Sequence, residues 1–112
     1  MDKDKAAILQ GTLDLLVLKT VETMGPLHGW AIAKRIEQVA QDLLELKYGT
    51  LYPALMRLEL SGWISSEWGT SENNRRARFY SITKQGRKQL TREAENWEQM
   101  AAFITRVLGT SR

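Results

Sequence analysis

Residues 47–63, KYGTLYPALMRLELSGW, decide how the rest of the chain reads. Leu51, Leu55 and Leu58 recur at helical spacing, and Gly62 follows as a stop signal. The opposite face carries Tyr52, Ala54, Arg57 and Glu59, with Tyr48 and Thr50 where it begins. Thr50 is the expected N-cap, because its hydroxyl can accept a free backbone N–H of the first turn. Pro53 then falls in that turn, where its missing N–H costs no hydrogen bond. The result is a short helix with an apolar back and a small, aromatic and basic front. A DNA major groove just admits an α-helix, and such a front suits insertion there. Taken alone, an amphipathic helix more often serves a core, so the neighbouring segments carry the decision.

Upstream, residues 1–8 read as a polar lead-in, and Gln10 to Met24 as a first helix. Leu13, Leu16, Val17, Thr20, Val21 and Met24 cover one broad face, which Leu9, Leu15 and Leu18 widen. A helix apolar nearly all round is buried on more than one side, and in so small a chain that suggests a partner subunit. Residues 25–29, GPLHG, break the helix. A second helix is expected from Trp30 to Gln41, with Ile32, Ile36 and Val39 inward and Lys34, Arg35, Glu37 and Gln38 outward. His28 starts it or packs in the turn; a lone histidine without fellow ligands is more often structural than catalytic. Residues 41–46 connect to the opening stretch, so helix, turn and helix follow in order.

Past Gly62 the period changes. Residues 63–68, WISSEW, are short and aromatic enough for a strand, residues 69–74, GTSENN, make a polar turn, and residues 75–82, RRARFYSI, alternate as a second strand. A hairpin directly after a groove-reading helix is a wing. Asn73, Asn74, Arg75 and Arg76 sit at or beside its tip, where guanidinium groups can meet phosphate oxygens or enter a minor groove. The competing reading is a solvated charge run on a loop.

Thr83 caps a final helix from Lys84 to about Leu108. Leu90, Ala94, Trp97, Ala101, Ile104 and Leu108 form its heptad seam, flanked by Met100, Phe103 and Val107. At 1.5 Å per residue it runs roughly 37 Å, too long to bury against a winged helix alone. A second subunit is the economical cover for its distal half, with the first helix, Leu13 and Leu16 included, expected at the same interface. The fold class is mainly α (α+β): a winged helix-turn-helix over residues 1–83, with a two-stranded wing, and a C-terminal dimerisation helix over residues 84–112.

Composition narrows the function. The 112 residues suit one soluble domain with ordinary proportions, 43% hydrophobic and 26% charged. A net charge of +3 and a pI near 9.4 lean toward acidic partners. Placement says more: Arg75, Arg76, Arg78, Lys84, Arg87, Lys88 and Arg92 occur with no acidic residue among them. There is no cysteine and one histidine, so thiolate metal sites and disulfides are excluded and no metal or cofactor is expected. No phosphate-cradling Gly loop or paired carboxylates occur at a plausible site, so the chain is not expected to be an enzyme. No apolar run approaches the ~20 residues of a membrane span, and residues 1–10 lack the order of a signal peptide. A cytoplasmic location, with no membrane partner, is the default.

Four stretches together resemble the PadR family of bacterial transcriptional regulators: GTLDLLVLKTV (11–21), GPLHGWAIAKRIEQ (25–38), YGTLYPALMRLELSGWI (48–64) and NNRRARFYSITKQGRKQL (73–90). They cover most of the chain in order. The resemblance implies a winged helix-turn-helix homodimer, joined by its C-terminal helix and acting mostly as a repressor, of the short form with one terminal helix. Lys47-Tyr48 departs from the small or Ser cap common in the family. Some members bind planar aromatic or phenolic compounds between subunits, and Trp97 sits where that resemblance would put such a site; plain dimer core is the rival role for Trp97.

The expected function is therefore sequence-specific binding of double-stranded DNA as a homodimer on a palindromic operator, with release by a small aromatic effector. Tyr48, Thr50, Tyr52 and Arg57 would face bases and nearby phosphates. Asn74, Arg75 and Arg76 would hold the flanking backbone, and Lys34 and His28 could add phosphate contacts. The alternative is a winged-helix protein-interaction module without DNA readout. It calls for an exposed apolar patch on the front helix and a wing without a basic cluster.

Overall fold

The computed structural model of the protein describes residues 12–109, the side chain of residue 42 excepted. The polar lead-in, Leu9 and the expected helix start at Gln10 lie outside the described residues. The elements are α1 (Leu13–Met24), β1 (Leu27–His28), α2 (Gly29–Ala40), a 3-10 turn (Gln41–Leu43), α3 (Tyr48–Leu60), β2 (Ile64–Thr70), β3 (Arg76–Ile82) and α4 (Lys84–Leu108).

One core joins them. Leu13, Val17, Leu18 and Val21 of α1 meet Ile32, Ala33 and Ile36 of α2 and Leu51, Ala54, Leu55 and Leu58 of α3, with Leu46, Ile64, Tyr80 and Leu90 closing the sides. The helix periods supply these positions. Two expectations fail at the margins of the core. Val39 shares the face of Ile32 but is exposed, because the inward stripe ends one turn before α2 does. Ala54, expected on the front of α3, is buried at 1% exposure and lets α3 approach the other helices.

Local chemistry sets the helix ends. His28 caps α2: its Nδ1 accepts the Ala31 N–H at 3.3 Å. The Glu37 carboxylate accepts the Leu46 N–H at 2.7 Å and so fixes the connector between α2 and α3. The α3 start differs from expectation. Lys47, not Thr50, holds the N-cap position, with extended backbone and no side-chain cap bond. Its carbonyl accepts from both Thr50 and Leu51 at 3.0 Å, which draws Thr50 into the first turn. Pro53 therefore lies inside the helix rather than in its first turn, and its missing N–H removes the bond that the Gly49 carbonyl would have accepted. At the other end, Gly62 N–H bonds the Glu59 carbonyl and Trp63 N–H the Leu58 carbonyl, each at 3.0 Å, with Gly62 at φ +80°. This paired closure needs a left-handed residue, and glycine adopts that conformation without a Cβ penalty.

The winged helix-turn-helix is present, with one addition to the two-stranded wing. β2 and β3 form the hairpin with Ser66 opposite Tyr80, Trp68 opposite Arg78 and Thr70 opposite Arg76. β1 adds to the far edge of β3, giving the order β1-β3-β2. A two-residue strand is too short to leave a period in the sequence. The turn closes through the Ser71 N–H on the Arg75 carbonyl at 2.8 Å, and Asn74 takes φ +60°, which asparagine tolerates.

Thr83 caps α4 as expected, its hydroxyl accepting the Gly86 N–H at 3.0 Å. The proximal half of α4 packs on α1 within the same chain. The distal half projects. The radius of gyration, 15.4 Å, exceeds the roughly 13 Å of a compact chain of this length.

Candidate nucleic-acid interface

The first turns of α3, the β1–α2 junction and one face of the hairpin border an open cleft of about 770 Å³. Alternation along the strands puts Ser66 and Trp68 of β2 and Arg76, Arg78 and Tyr80 of β3 on that face. His28, Gly29 and Trp30 form the second wall, and Tyr48 and Tyr52 the third.

The arginines on the wing are held, not loose. The Arg76 guanidinium lies 4.8 Å and that of Arg78 5.1 Å from the centre of the Trp68 ring, a cation–π arrangement on both. Arg78 also donates through Nε and Nη2 to Ser66 Oγ at 2.9 and 2.7 Å. Ser66 in turn donates to Glu59 Oε2 at 2.7 Å, and Arg78 stands 3.8 Å from that oxygen. Glu59 belongs to α3, so this chain of polar contacts ties the wing to the helix. Arg75 is exposed beyond the strand end.

On α3 the rings of Tyr48 and Tyr52 lie 5.1 Å apart, one helical turn from each other. Tyr52 packs on the start of α2: a Cβ at Gly29 would come within 2.9 Å of its hydroxyl oxygen. Partial burial, then the nearby Tyr52 and Glu37, push the Tyr48 phenol above its ordinary range. Burial, then Glu59 and Tyr52, do the same to Tyr80 against the opposing pull of Arg78. Both phenols stay neutral hydrogen-bond donors at physiological pH.

Of the residues expected from the sequence, His28, Tyr48, Tyr52, Arg75 and Arg76 come together around this cleft. Lys34 sits at its edge, its Nζ 5.5 Å from the centre of the Trp30 ring and 3.8 Å from Glu37. Asn73, not Asn74, lines the cleft, and Asn74 forms the left-handed turn residue. Thr50 is half-buried in α3, outside the lining. Arg57 does not share a front with Tyr52: five residues on, it points toward α1 and pairs with Asp14. Trp30, Trp68 and Arg78 were not singled out as site residues. The hairpin register would have found Trp68 and Arg78, since a turn centred on residues 71–75 puts them opposite each other.

The residues expected at a dimer seam divide in two. Leu13 and Leu90 are core residues of the single chain, 3% and 6% exposed, and Leu16 packs against that core. Leu13 and Leu90 are thus covered within the protomer, while Leu16 stays partly exposed. Ala94 and Ala101 are half-buried, while Trp97, Ile104 and Leu108 are exposed, together with Met100, Phe103 and Val107.

A helix-turn-helix whose second helix shares a cleft with a basic hairpin defines the winged helix-turn-helix class. Residues 17–92 match the transcriptional regulator PadR-like family, and the chain belongs to it. Its structure is similar to a transcriptional regulator from Clostridium thermocellum, with 32% identity, a TM-score of 0.80 and coverage of 89% of this chain and 96% of that one. It is also similar to a PadR family transcriptional regulator from Eggerthella lenta, with 28% identity, a TM-score of 0.77 and coverage of 94% and 88%. In sequence it is 24% identical over 100 residues to an uncharacterized protein of Lysinibacillus sphaericus, covering 89% of this chain and 91% of that protein. The chain is thus a DNA-binding transcriptional regulator by family. Among the described residues, no helix is long and apolar enough to cross a membrane, and no cluster of three or more His, Asp or Glu could hold a metal ion.

Proposed function

We propose that the protein is a homodimeric repressor that binds a palindromic operator. In this reading α3 enters the major groove while the wing arginines hold the flanking phosphate backbone. The observation that carries it is the shared cleft: Arg75, Arg76 and Arg78 stand beside the exposed turns of α3, and Glu59 and Ser66 hold Arg78 in place there. Tyr48 and Tyr52 are the assigned contacts to base edges and adjoining phosphates. Thr50, Arg57, Asn74, Lys34 and His28 are assigned at most outlying backbone contacts. Residues 1–83 are assigned as the DNA-binding part and residues 84–112 as the dimerisation part.

The dimer reading is supported by the exposed distal row of α4, where Trp97, Met100, Phe103, Ile104, Val107 and Leu108 follow a heptad-like order. Trp97 serves there as interface core or as the wall of a site for a small planar aromatic effector that releases the operator. The protein-interaction alternative draws on Met56 and Leu60, which are exposed on α3 at 65% and 86%. The basic wing speaks against it.

Selection of bound duplexes from a random-sequence library, followed by footprinting, tests the proposal. The expected product has two symmetric half-sites about one helical turn, ~10 bp, apart or a multiple of it. A single asymmetric half-site would contradict the two-fold arrangement.

A further inference from the structure

We infer that α3 discriminates its operator by touching thymine C5-methyl groups, with Met56 as the central contact. The inference rests on the DNA-binding reading above and specifies what the helix recognises. At about 100° per residue, Tyr48, Tyr52, Met56, Gly49, Leu60 and Pro53 share an arc of about 140°, and Met56 lies near its middle. Every one of them is exposed. The polar residues of α3 lie elsewhere or are engaged: Arg57 pairs with Asp14, Glu59 accepts from Ser66, and Thr50 is half-buried.

The chemistry of the arc is restrictive. Bidentate reading of guanine needs Arg or Lys, of adenine Asn or Gln, and cytosine N4 calls for Asp or Glu. Of these side chains the arc holds only Glu59, and its carboxylate is taken up by Ser66 and Arg78. Two phenols can each make single hydrogen bonds, and the hydroxyl of Tyr52 is already packed against Gly29. What remains for the middle of the helix is apolar contact, and the only apolar group that a base pair presents in the major groove is the thymine methyl. The unbranched, polarizable Met side chain adapts to such a target.

The experiment takes a duplex selected by the full chain and resynthesises it with deoxyuridine for thymidine, one half-site position at a time. This removes the methyl and keeps the base pair. Affinity is expected to fall about fourfold at each contacted thymine, the worth of one buried methylene-sized group. In Met56→Ala the thymidine and deoxyuridine duplexes should bind alike at one or more of those positions, whereas Met56→Leu should keep the difference. Arg75→Ala should weaken both duplexes by the same factor. Full affinity for the fully deoxyuridine operator, with discrimination against random DNA retained, overturns methyl readout and leaves DNA binding intact. A Met56→Ala loss equal on both duplexes overturns the assignment to Met56. If no duplex is selected at all, the DNA-binding reading falls and this inference with it.

Discussion

Two residues carry roles set by particular neighbours in space. A Cβ on Gly86 would lie 2.0 Å from the backbone oxygen of Trp63, which already accepts the Thr83 N–H. Helix propensity alone favours alanine there by about 1 kcal/mol, but overpacking costs about 1–3 kcal/mol and the obstacle is backbone. Gly86→Ala is therefore expected to lower the urea midpoint, at unchanged slope, by about 1–2 kcal/mol of stability. An equal or higher midpoint would mean that α4 can lift off the carbonyl freely. Trp68 acts on two arginines at once. An exposed cation–π pair contributes about 0.5–1 kcal/mol, so Trp68→Ala should weaken binding to every duplex about two- to fivefold. Trp68→Phe should recover part of that loss. If Trp68→Ala binds as tightly as the parent chain, the ring does not position the wing. Neither role was legible in the sequence. Gly86 looked like one more glycine in a helix, because its constraint comes from a carbonyl 23 residues away in the chain. Trp68 looked like generic strand material until the register set it across from Arg78.

At the scale of elements, strong periods read well and ends read poorly. The final helix was expected from Lys84 to about Leu108 and spans those residues, because a heptad pattern and a Thr cap agree. The α3 start was misplaced because Thr50 is intrinsically the better cap. That preference is worth about 1 kcal/mol, less than burying Leu51, Ala54 and Leu55 in register. The front of α3 was misread for a related reason: Ala54 is small enough to count as surface by composition, yet small residues are what close helix packing requires. Arg57 was drawn away by Asp14, a residue on another helix that no local pattern connects to it. The exposed distal row of α4 has a direct test. Ile104→Glu would place an unpaired charge in the expected dimer seam at a cost of several kcal/mol. Since Ile104 is 47% exposed in the single chain, the variant should stay folded by circular dichroism and sediment as a monomer. A wild-type chain that already sediments as a monomer at micromolar concentration would remove the basis of the dimer.

For the whole molecule, recognition and anchoring should be separable because they use different parts. In the proposed reading the wing offers charge to any phosphate, and α3 offers shape and apolar surface to particular bases. Order and spacing of the two parts were legible, since helix, turn, helix and basic hairpin follow one another within residues 29–82. What joins them, the Glu59–Ser66–Arg78 contacts, was not, because it crosses between elements. The decisive measurement is affinity for operator and for random duplex across a series of salt concentrations, for the parent chain, Arg75→Ala/Arg76→Ala and Tyr52→Ala. Loss of the two arginines should weaken binding to both duplexes and flatten the salt slope by about 0.9 per lost phosphate contact. Loss of Tyr52 should leave the slope and narrow the gap between operator and random DNA by roughly 1–3 kcal/mol. A Tyr52 variant with the gap intact, beside a wing variant that abolishes it, would reverse the assignment of readout to α3 and anchoring to the wing.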